Sequence, residues 1–436
     1  MLLLQEVEKR CSIIEQFAYC FDDHRDPRRV EHSVRELLAQ RVFGLALGYD
    51  DLNDHDELRY DPLLATAIGK SDPKGTRRAR ERDKGAGLAG KSTLNRIELS
   101  KPGEAASDRY RRIVLREEFV DRVFLDVFLQ AFEKAPKQIT LDLDATDDPV
   151  HGQQEGRFFH GYYGHYCYLP LYIFCGDHLL CARLRQANID ASAGTVEELQ
   201  RIVARIRQEW PKVEILVRAD SGFCREEIMA WCENNAVDYV FGLARNSRLE
   251  QLIAEPLREV ARRSEQSGRP ERLFEEFDYR TLDTWSCARR VVGKAEHLPG
   301  RSNPRFIVTS LGRSTIGKKQ VYEDVYCARG EMENRIKEQQ LYLFADRTSS
   351  TSFRANQTRL YFSSIAYLLL EALRRVGLKG TDMAQALCCT IRTRLLKIGA
   401  RIRVTVRKIW VAMAQACPYA HLFRLAVANL RSPPPR

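Results

Sequence analysis

Residues 138–146 read Gln-Ile-Thr-Leu-Asp-Leu-Asp-Ala-Thr, and the fold is decided there. Ile139, Leu141 and Leu143 alternate with Thr140, Asp142 and Asp144, a period of two that predicts a half-buried strand. Successive side chains of a strand point to opposite faces, so both aspartates share one face. Downstream, Tyr166 to Phe174 and Leu179 to Leu184 predict two more strands. Cys175, Gly176, Asp177 and His178 separate them, and Gly-Asp suits a tight hairpin turn. Three consecutive antiparallel strands follow from this.

Thr195 and Glu198 have capping-box spacing ahead of Leu199, Ile202, Val203, Ile206 and Trp210, an amphipathic helix that Pro211 ends. Val213, Ile215, Val217 and Ala219 then alternate with Glu214, Leu216, Arg218 and Asp220, a fourth strand carrying Asp220 at its carboxyl end. A helix around Glu226 to Asn234 and a strand from Val237 to Leu243 complete the series. Three antiparallel strands followed by helix, strand, helix and strand predict an α/β fold, a mixed sheet with flanking helices. This order resembles the ribonuclease-H-like fold. The resemblance implies that the first and fourth strands are neighbours, so that Asp144 and Asp220 meet.

Around this core the chain divides into a helical DNA-binding domain (1–135), the first part of the core (136–245), a strand-rich insertion domain (246–322), a glutamate-bearing helical part of the core (323–380) and a basic helical carboxy-terminal lobe (381–436). In the first, Val30, Val34, Leu37, Leu38 and Val42 predict a helix over Arg28 to Leu47, started by Asp26 and Pro27. Lys70 to Lys91 is too rich in Arg, Gly and Asp for a core and reads as a loop or a DNA-facing arm. In the insertion, Ala288 to Val292 and Arg305 to Ser310 are strand candidates. In the last lobe, Arg392, Arg394, Lys397, Arg401, Arg403, Arg407 and Lys408 lie among apolar residues, a composition suited to gripping phosphates.

A chain of 436 residues with 44% hydrophobic and 29% charged residues has material for a sizeable folded core. Its net charge of +10 and pI of about 9.0 favour a polyanionic partner. No apolar run approaches the roughly 20 residues that cross a bilayer. Met1 to Leu4 begins like an export signal, but Glu6, Glu8, Lys9 and Arg10 interrupt it, so a cytoplasmic, nucleoid-associated protein is expected. The twelve cysteines show no zinc spacing and read as reduced thiols. Nor do His151, His160, His165 and His178 match a zinc pair.

Gly85, Gly90, Lys91 and Ser92 satisfy the phosphate-loop pattern G-x-x-x-x-G-K-[ST], which would make the chain an NTP-driven motor. That loop needs a buried strand before it and a helix after it. Here Arg77, Arg78, Arg80, Glu81, Arg82, Asp83 and Lys84 precede it, and no buried strand can be built from them. Instead, Ser92 or Thr93 is expected to cap a short helix, with Lys91 and Arg96 free to meet DNA.

Phosphoryl transfer on DNA needs a nucleophilic oxygen and neutralised phosphate charge, which oxygen-bound metal ions supply, and carboxylates are their natural ligands. Asp144, Asp220 and Glu333 are the candidates for catalysis and metal binding. Tyr326, Arg329 and Glu333 are spaced by three and four, along one helix face. Tyr326-x-x-Arg329-x-x-x-Glu333 resembles the Y-x2-R-x3-E signature of bacterial insertion-sequence DDE transposases. Asp144-Ala-Thr146 and Asp220-Ser-Gly-Phe223 resemble the motifs around that family's two catalytic aspartates, and the interval from Asp220 to Glu333 resembles members with an insertion. The likeness extends to Gly-Tyr-Asp-Asp-Leu-Asn-Asp-His at 48–55 and His-Gly-Gln-Gln-Glu-Gly at 151–156.

The resemblance implies cutting at element ends and joining of the freed 3′-hydroxyl to target DNA, with Mg2+ as cofactor and Mn2+ as its substitute. It implies double-stranded DNA as partner, both terminal inverted repeats and target, and a homodimer that pairs two ends. It also implies that Tyr326 and Arg329 hold phosphates or a flipped base. The family signature continues with Lys seven residues after the Glu; here that position is Gln340, and Lys337, one turn after Glu333, is the substitute for the DNA contact. Asp142 shares the strand face of Asp144 and competes with it for the first site; Thr146 favours Asp144. Phe158, Phe159, Tyr162, Tyr163, Tyr166 and Tyr168 suit either stacking on unpaired bases or sheet packing. The rival from another class is a catalytically inactive, sequence-specific DNA-binding protein derived from a transposase.

Overall fold

The computed structural model describes residues 1–103, 108–298, 300–405 and 407–433. One large sheet organises them. Its long strands, numbered along the chain, are β1 (Gln138–Ala145), β2 (Leu171–Cys175), β3 (His178–Arg183), β4 (Glu214–Ala219), β5 (Asp238–Leu243), β6 (Glu271–Tyr279), β7 (Arg289–Leu298) and β8 (Arg305–Thr309). They lie in the order β6-β7-β8-β5-β4-β1-β2-β3, with Arg301–Ser302 paired to β7. β4 runs parallel to both β1 and β5, while β2 and β3 are antiparallel neighbours, so the sheet is mixed as the strand pattern predicts.

The period of two in β1 sorts its side chains between two layers. Leu141 and Leu143 are fully buried against the helices Thr195–Glu209 and Glu226–Asn234. The opposite face, which carries Tyr172 and Phe174 of β2, packs under the helix Phe353–Ala372. That helix is buried along nearly its whole length, its buried Asn356, Gln357, Thr358, Ser363 and Ser364 included, as befits an interior helix. Residues from Leu3 to Leu430 share its apolar core, so amino-terminal and carboxy-terminal segments pack on the same side. No helix among the described residues is long and apolar enough to cross a membrane.

Several local expectations are corrected. The Tyr166–Phe174 strand is broken at Leu169 and Pro170: His165–Tyr168 pairs with Phe158–His160 and Asp148–Pro149 in a separate small sheet, and β2 starts after the proline. Gly176 takes φ +57 in the two-residue turn joining Cys175 to His178, as a tight hairpin requires. Asp26 and Pro27 open only the single turn Pro27–Arg29; the helix begins at Val34, where Ser33 and Glu36 form a reciprocal capping box. Thr195 and Glu198 form no such box. Gly194 starts that helix, and Glu198 is drawn to Arg201 at 2.7 Å and Arg183 at 3.1 Å.

The strands of 246–322 do not stand apart from the core sheet: β8 pairs antiparallel with β5 and continues it. In the carboxy-terminal lobe, Ala400–Val404 and Ile409–Met413 form a hairpin in place of helix. Ile402, Val404, Ile409 and Val411 alternate there with Arg401, Arg403 and Trp410, the period of a strand.

Candidate active site

β1 and β4 are parallel with Leu143 opposite Ala219, so Asp144 and, just past the end of β4, Asp220 are the residues that come next on the two adjacent segments. Asp144 accepts a hydrogen bond from its neighbour Ala145 N–H at 3.0 Å. Asp220 leaves the strand and caps the turn Ser221–Phe223, accepting from Gly222 N–H at 2.8 Å.

Tyr326, Arg329 and Glu333 do not lie on one regular helix. The chain passes from a π-helix (Val321–Tyr326) through a 3-10 turn (Cys327–Arg329) into the α-helix Gly330–Leu343. Arg329 still reaches Glu333, donating to its carboxylate at 2.8 Å. Tyr326 lies over Gly242 of β5: a Cβ there would sit 2.7 Å from the tyrosine hydroxyl and 2.9 Å from the Ser221 nitrogen. The bare glycine makes room for the ring beside the turn that follows Asp220.

Electrostatics binds these residues into one group. The Asp144 carboxyl is pushed up to about 6, first by burial and then by the charges of Asp220 and Glu333, against the pull of Arg329. Burial works against the Arg329 charge, but Asp144 foremost, with Tyr326, Glu333 and Asp220, raises it above its ordinary value. Burial also raises the Tyr326 hydroxyl; Asp220 adds to that rise and Arg329 opposes it. Among the described residues, however, no three histidine, cysteine, aspartate or glutamate side chains are gathered closely enough to hold a metal ion. Glu333 is turned toward Arg329.

Asp142 has a different role from its neighbour. It is buried and takes two hydrogen bonds from Arg218, at 2.7 and 2.8 Å. Arg218 also donates to the Val325 carbonyl at 2.7 Å, which ties β1 and β4 to the π-helix that carries Tyr326. The reading of the sequence did not single out Arg218; its one signal was an arginine inside an otherwise apolar strand. Gly242 was missed as well, because its importance comes from a residue far along the chain.

Gln340 donates to Asp148 Oδ1 at 3.0 Å and to the Asp147 carbonyl at 3.2 Å. Burial pushes the Asp148 carboxyl up to about 8, Gln340 opposing and Asp346 and Asp147 adding. Lys337 is exposed and lines a surface groove with Asp177, Glu331 and Arg335. The His-Gly-Gln-Gln-Glu-Gly stretch is tied to the start of the long interior helix, Glu155 accepting from Phe353 N–H at 3.1 Å.

Lys91 and Arg96 stand on the helix Lys91–Glu98, which begins at Gly90 with no cap from Ser92 or Thr93. Lys91 is not free: Asp56 holds it at 3.0 Å and Asn53 at 2.9 Å. Arg96 lines a cleft with Arg59, Arg78, Arg80 and Arg82. Of the glycines before Lys91, Gly75 and Gly87 serve backbone crossing. A Cβ on Gly87 would lie 2.3 Å from the Pro73 carbonyl oxygen, and one on Gly75 would lie 2.4 Å from the Ala86 carbonyl. Gln40 then clamps Ala89 through both its N–H and its C=O, at 3.0 and 2.8 Å, and buried His55 of the 48–55 stretch packs beside it. No strand leads into the motif: after Phe21–Asp23 the described residues hold none before Lys91, and a 3-10 turn, Glu81–Asp83, comes just before Gly85, so the phosphate-loop reading has no structural basis.

No curated protein matches the chain. A piggyBac transposase, solved by cryo-EM as a synaptic complex with hairpin DNA, is similar at a TM-score of 0.41 and 13% identity, over 98% of this chain and 84% of that one. The model of the family described as transposase DDE domain group 1 matches residues 1–435, essentially the whole sequence. The chain therefore belongs to the DDE transposases, in that family.

Proposed function

We propose that this chain is the transposase of a bacterial insertion sequence, acting in the cytoplasm at the nucleoid. It binds the terminal inverted repeats as double-stranded DNA, cuts at the element ends and joins the freed 3′-hydroxyl to target DNA. Asp144, Asp220 and Glu333 are its catalytic and metal-holding residues. One observation carries the assignment: parallel β1 and β4 bring Asp144 and Asp220 to neighbouring positions, and the charges of Asp220 and Glu333 both reach the buried Asp144 carboxyl, although the three come from distant parts of the chain. Asp142 is already neutralised by Arg218, which supports Asp144 as the acid at the first position.

The donor set suits a hard divalent cation. All three donors are carboxylates, and the negative charge of Asp220 and Glu333 adds to burial at Asp144, a charge that a cation would offset. Magnesium, or manganese in its place, would neutralise charge on the attacked phosphate and activate the attacking oxygen. The protein's part is positional. β1 and β4 hold the two aspartates side by side, and the π-turn sets Tyr326 against Gly242. Glu333, now hydrogen-bonded to Arg329, would hold the metal together with Asp144 and Asp220, and the Arg329 guanidinium would then be available to grip a DNA phosphate in two-pronged fashion. With Gln340 engaged by Asp148, Lys337 supplies the neighbouring phosphate contact. Arg96 contacts DNA from the amino-terminal segment, Lys91 joins it on leaving Asp56 and Asn53, and two copies pair the two ends.

The test is incubation with DNA bearing the element's terminal repeats, with magnesium or with EDTA. Asp144→Asn, Asp220→Asn and Glu333→Gln are each expected to abolish cleavage without abolishing binding. Metal-dependent cleavage that survives all three changes would sink the site. Binding with no cleavage by the unaltered protein would favour the inactive DNA-binding reading.

A further inference from the structure

Phe158, Phe159, Tyr162 and Tyr166 stand on the hairpin formed by Phe158–His160 and His165–Tyr168, and they are 38%, 56%, 87% and 46% exposed. Sheet packing accounts for Tyr168, which is fully buried and donates to the Glu155 carbonyl at 2.6 Å, but it does not account for these four. Single exposed apolar residues are ordinary; several together on one short hairpin mark a contact surface. Phe159 and Tyr166 meet edge to face with ring centroids 5.6 Å apart, and the Arg157 guanidinium lies 4.5 Å from the Tyr166 centroid.

The root of this hairpin is fixed beside the acids. His165 Nε2 meets Asp147 at 2.8 Å, just past the end of β1. The Tyr163 hydroxyl lies 3.4 Å from the Ala145 carbonyl, and its ring is packed 5.0 Å from that of Tyr162 at the tip. The charges of Asp144 and Asp220 both reach Tyr163. The exposed rings are therefore carried on a short arm rooted where β1 delivers Asp144.

We infer that this arm is a stacking platform for unpaired DNA bases next to the strand that is cut. The inference rests on the reading of the acids given above. Carboxylates repel a nucleic-acid backbone, so a grip beside them has to come from elsewhere. Aromatic faces accept any base without regard to sequence, and a nearby arginine adds cation–π attraction and a phosphate partner. Unpairing a base costs free energy, and stacking on a ring offsets that cost.

The test uses full-length protein in EDTA, so that no cleavage intervenes, and a duplex with a short unpaired tail carrying 2-aminopurine. Stacking on the rings is expected to quench the probe. Unaltered protein is expected to bind the tailed duplex about tenfold more tightly than the blunt duplex. A Phe159→Ala/Tyr162→Ala variant should lose that preference and the quenching while keeping its blunt-duplex affinity. Tyr162→Phe, which keeps the ring, should retain both. Far-UV circular dichroism confirms that the variants fold. Equal preference for tailed DNA in the double-alanine variant overturns the platform, as does a loss seen only as altered self-association, which would make the rings a contact between copies. Neither outcome touches the catalytic reading, which is decided separately by the cleavage assay on Asp144→Asn, Asp220→Asn and Glu333→Gln.

Discussion

Asp142 and Asp144 are one strand repeat apart on the same face, yet replacing each by asparagine should move stability in opposite directions. In the fold the Asp144 carboxyl keeps its proton up to about pH 6, against an ordinary value of 3.8. A tenfold change in proton affinity is about 1.4 kcal/mol, so holding the ionised carboxylate in the native state costs about 3 kcal/mol. Well below pH 3.8 the group is protonated whether the chain is folded or not, and no cost arises. As pH rises from there the unfolded chain gives up its proton first, stability falls, and the full cost is reached above pH 6. Asparagine cannot ionise. Asp144→Asn should therefore gain about 3 kcal/mol at pH 8 but only about 1 kcal/mol at pH 4.5. Burial raises the Asp142 carboxyl too, with Arg218 opposing, but there the loss of the partner outweighs that relief: Asp142→Asn leaves Arg218 buried without its counter-charge, a loss of about 3 to 5 kcal/mol. Urea denaturation in EDTA at several pH values measures both. A gain for Asp144→Asn that is independent of pH, or no gain at pH 8, would refute the electrostatic reasoning. Magnesium should then stabilise the unaltered protein and leave Asp144→Asn nearly unmoved.

Three further outcomes are expected. Gly242→Ala should keep the fold but displace Tyr326 and the turn after Asp220, lowering strand cleavage by about tenfold or more in a gel assay. Gly87→Ala should destabilise by about 1 to 3 kcal/mol in thermal or urea melts, because its Cβ meets the Pro73 carbonyl, whereas Lys91→Ala should leave any ATP hydrolysis by the preparation unchanged. Arg289, almost fully buried on β7, joins Glu226 and Glu233 of the helix after β4, each at 2.6 Å; Arg289→Met should cost about 1 to 3 kcal/mol, since both glutamates can rehydrate, and should loosen β7 first in hydrogen exchange.

The core was legible because its signals are local. Alternation in β1 and β4, the Gly176 turn and the helix Glu226–Asn234 all lie where the pattern put them. Errors arose where another partner competed with the expected one. Glu198 had the spacing of a cap, but Arg183 and Arg201 offered it full charges; Asp26-Pro27 looked like a helix start, but Ser33 and Glu36 made the better box. The pairing of β8 with β5 is likewise written in no single segment. At the candidate site, both aspartates of β1 read alike in sequence. What separates them is Arg218, which faces Asp142 across the sheet and leaves Asp144 to its acidic neighbours.

That same guanidinium bears on mechanical tolerance. Parts drawn from residues 144, 220 and 326 would each inherit the positional slack of all the chain between them. Arg218 gathers β1, its own strand β4 and the backbone of Val325 into one joint. Errors accumulated along the loops and through the inserted strands stop there, so the rest of the molecule is free to flex while the distances among these parts hold steady.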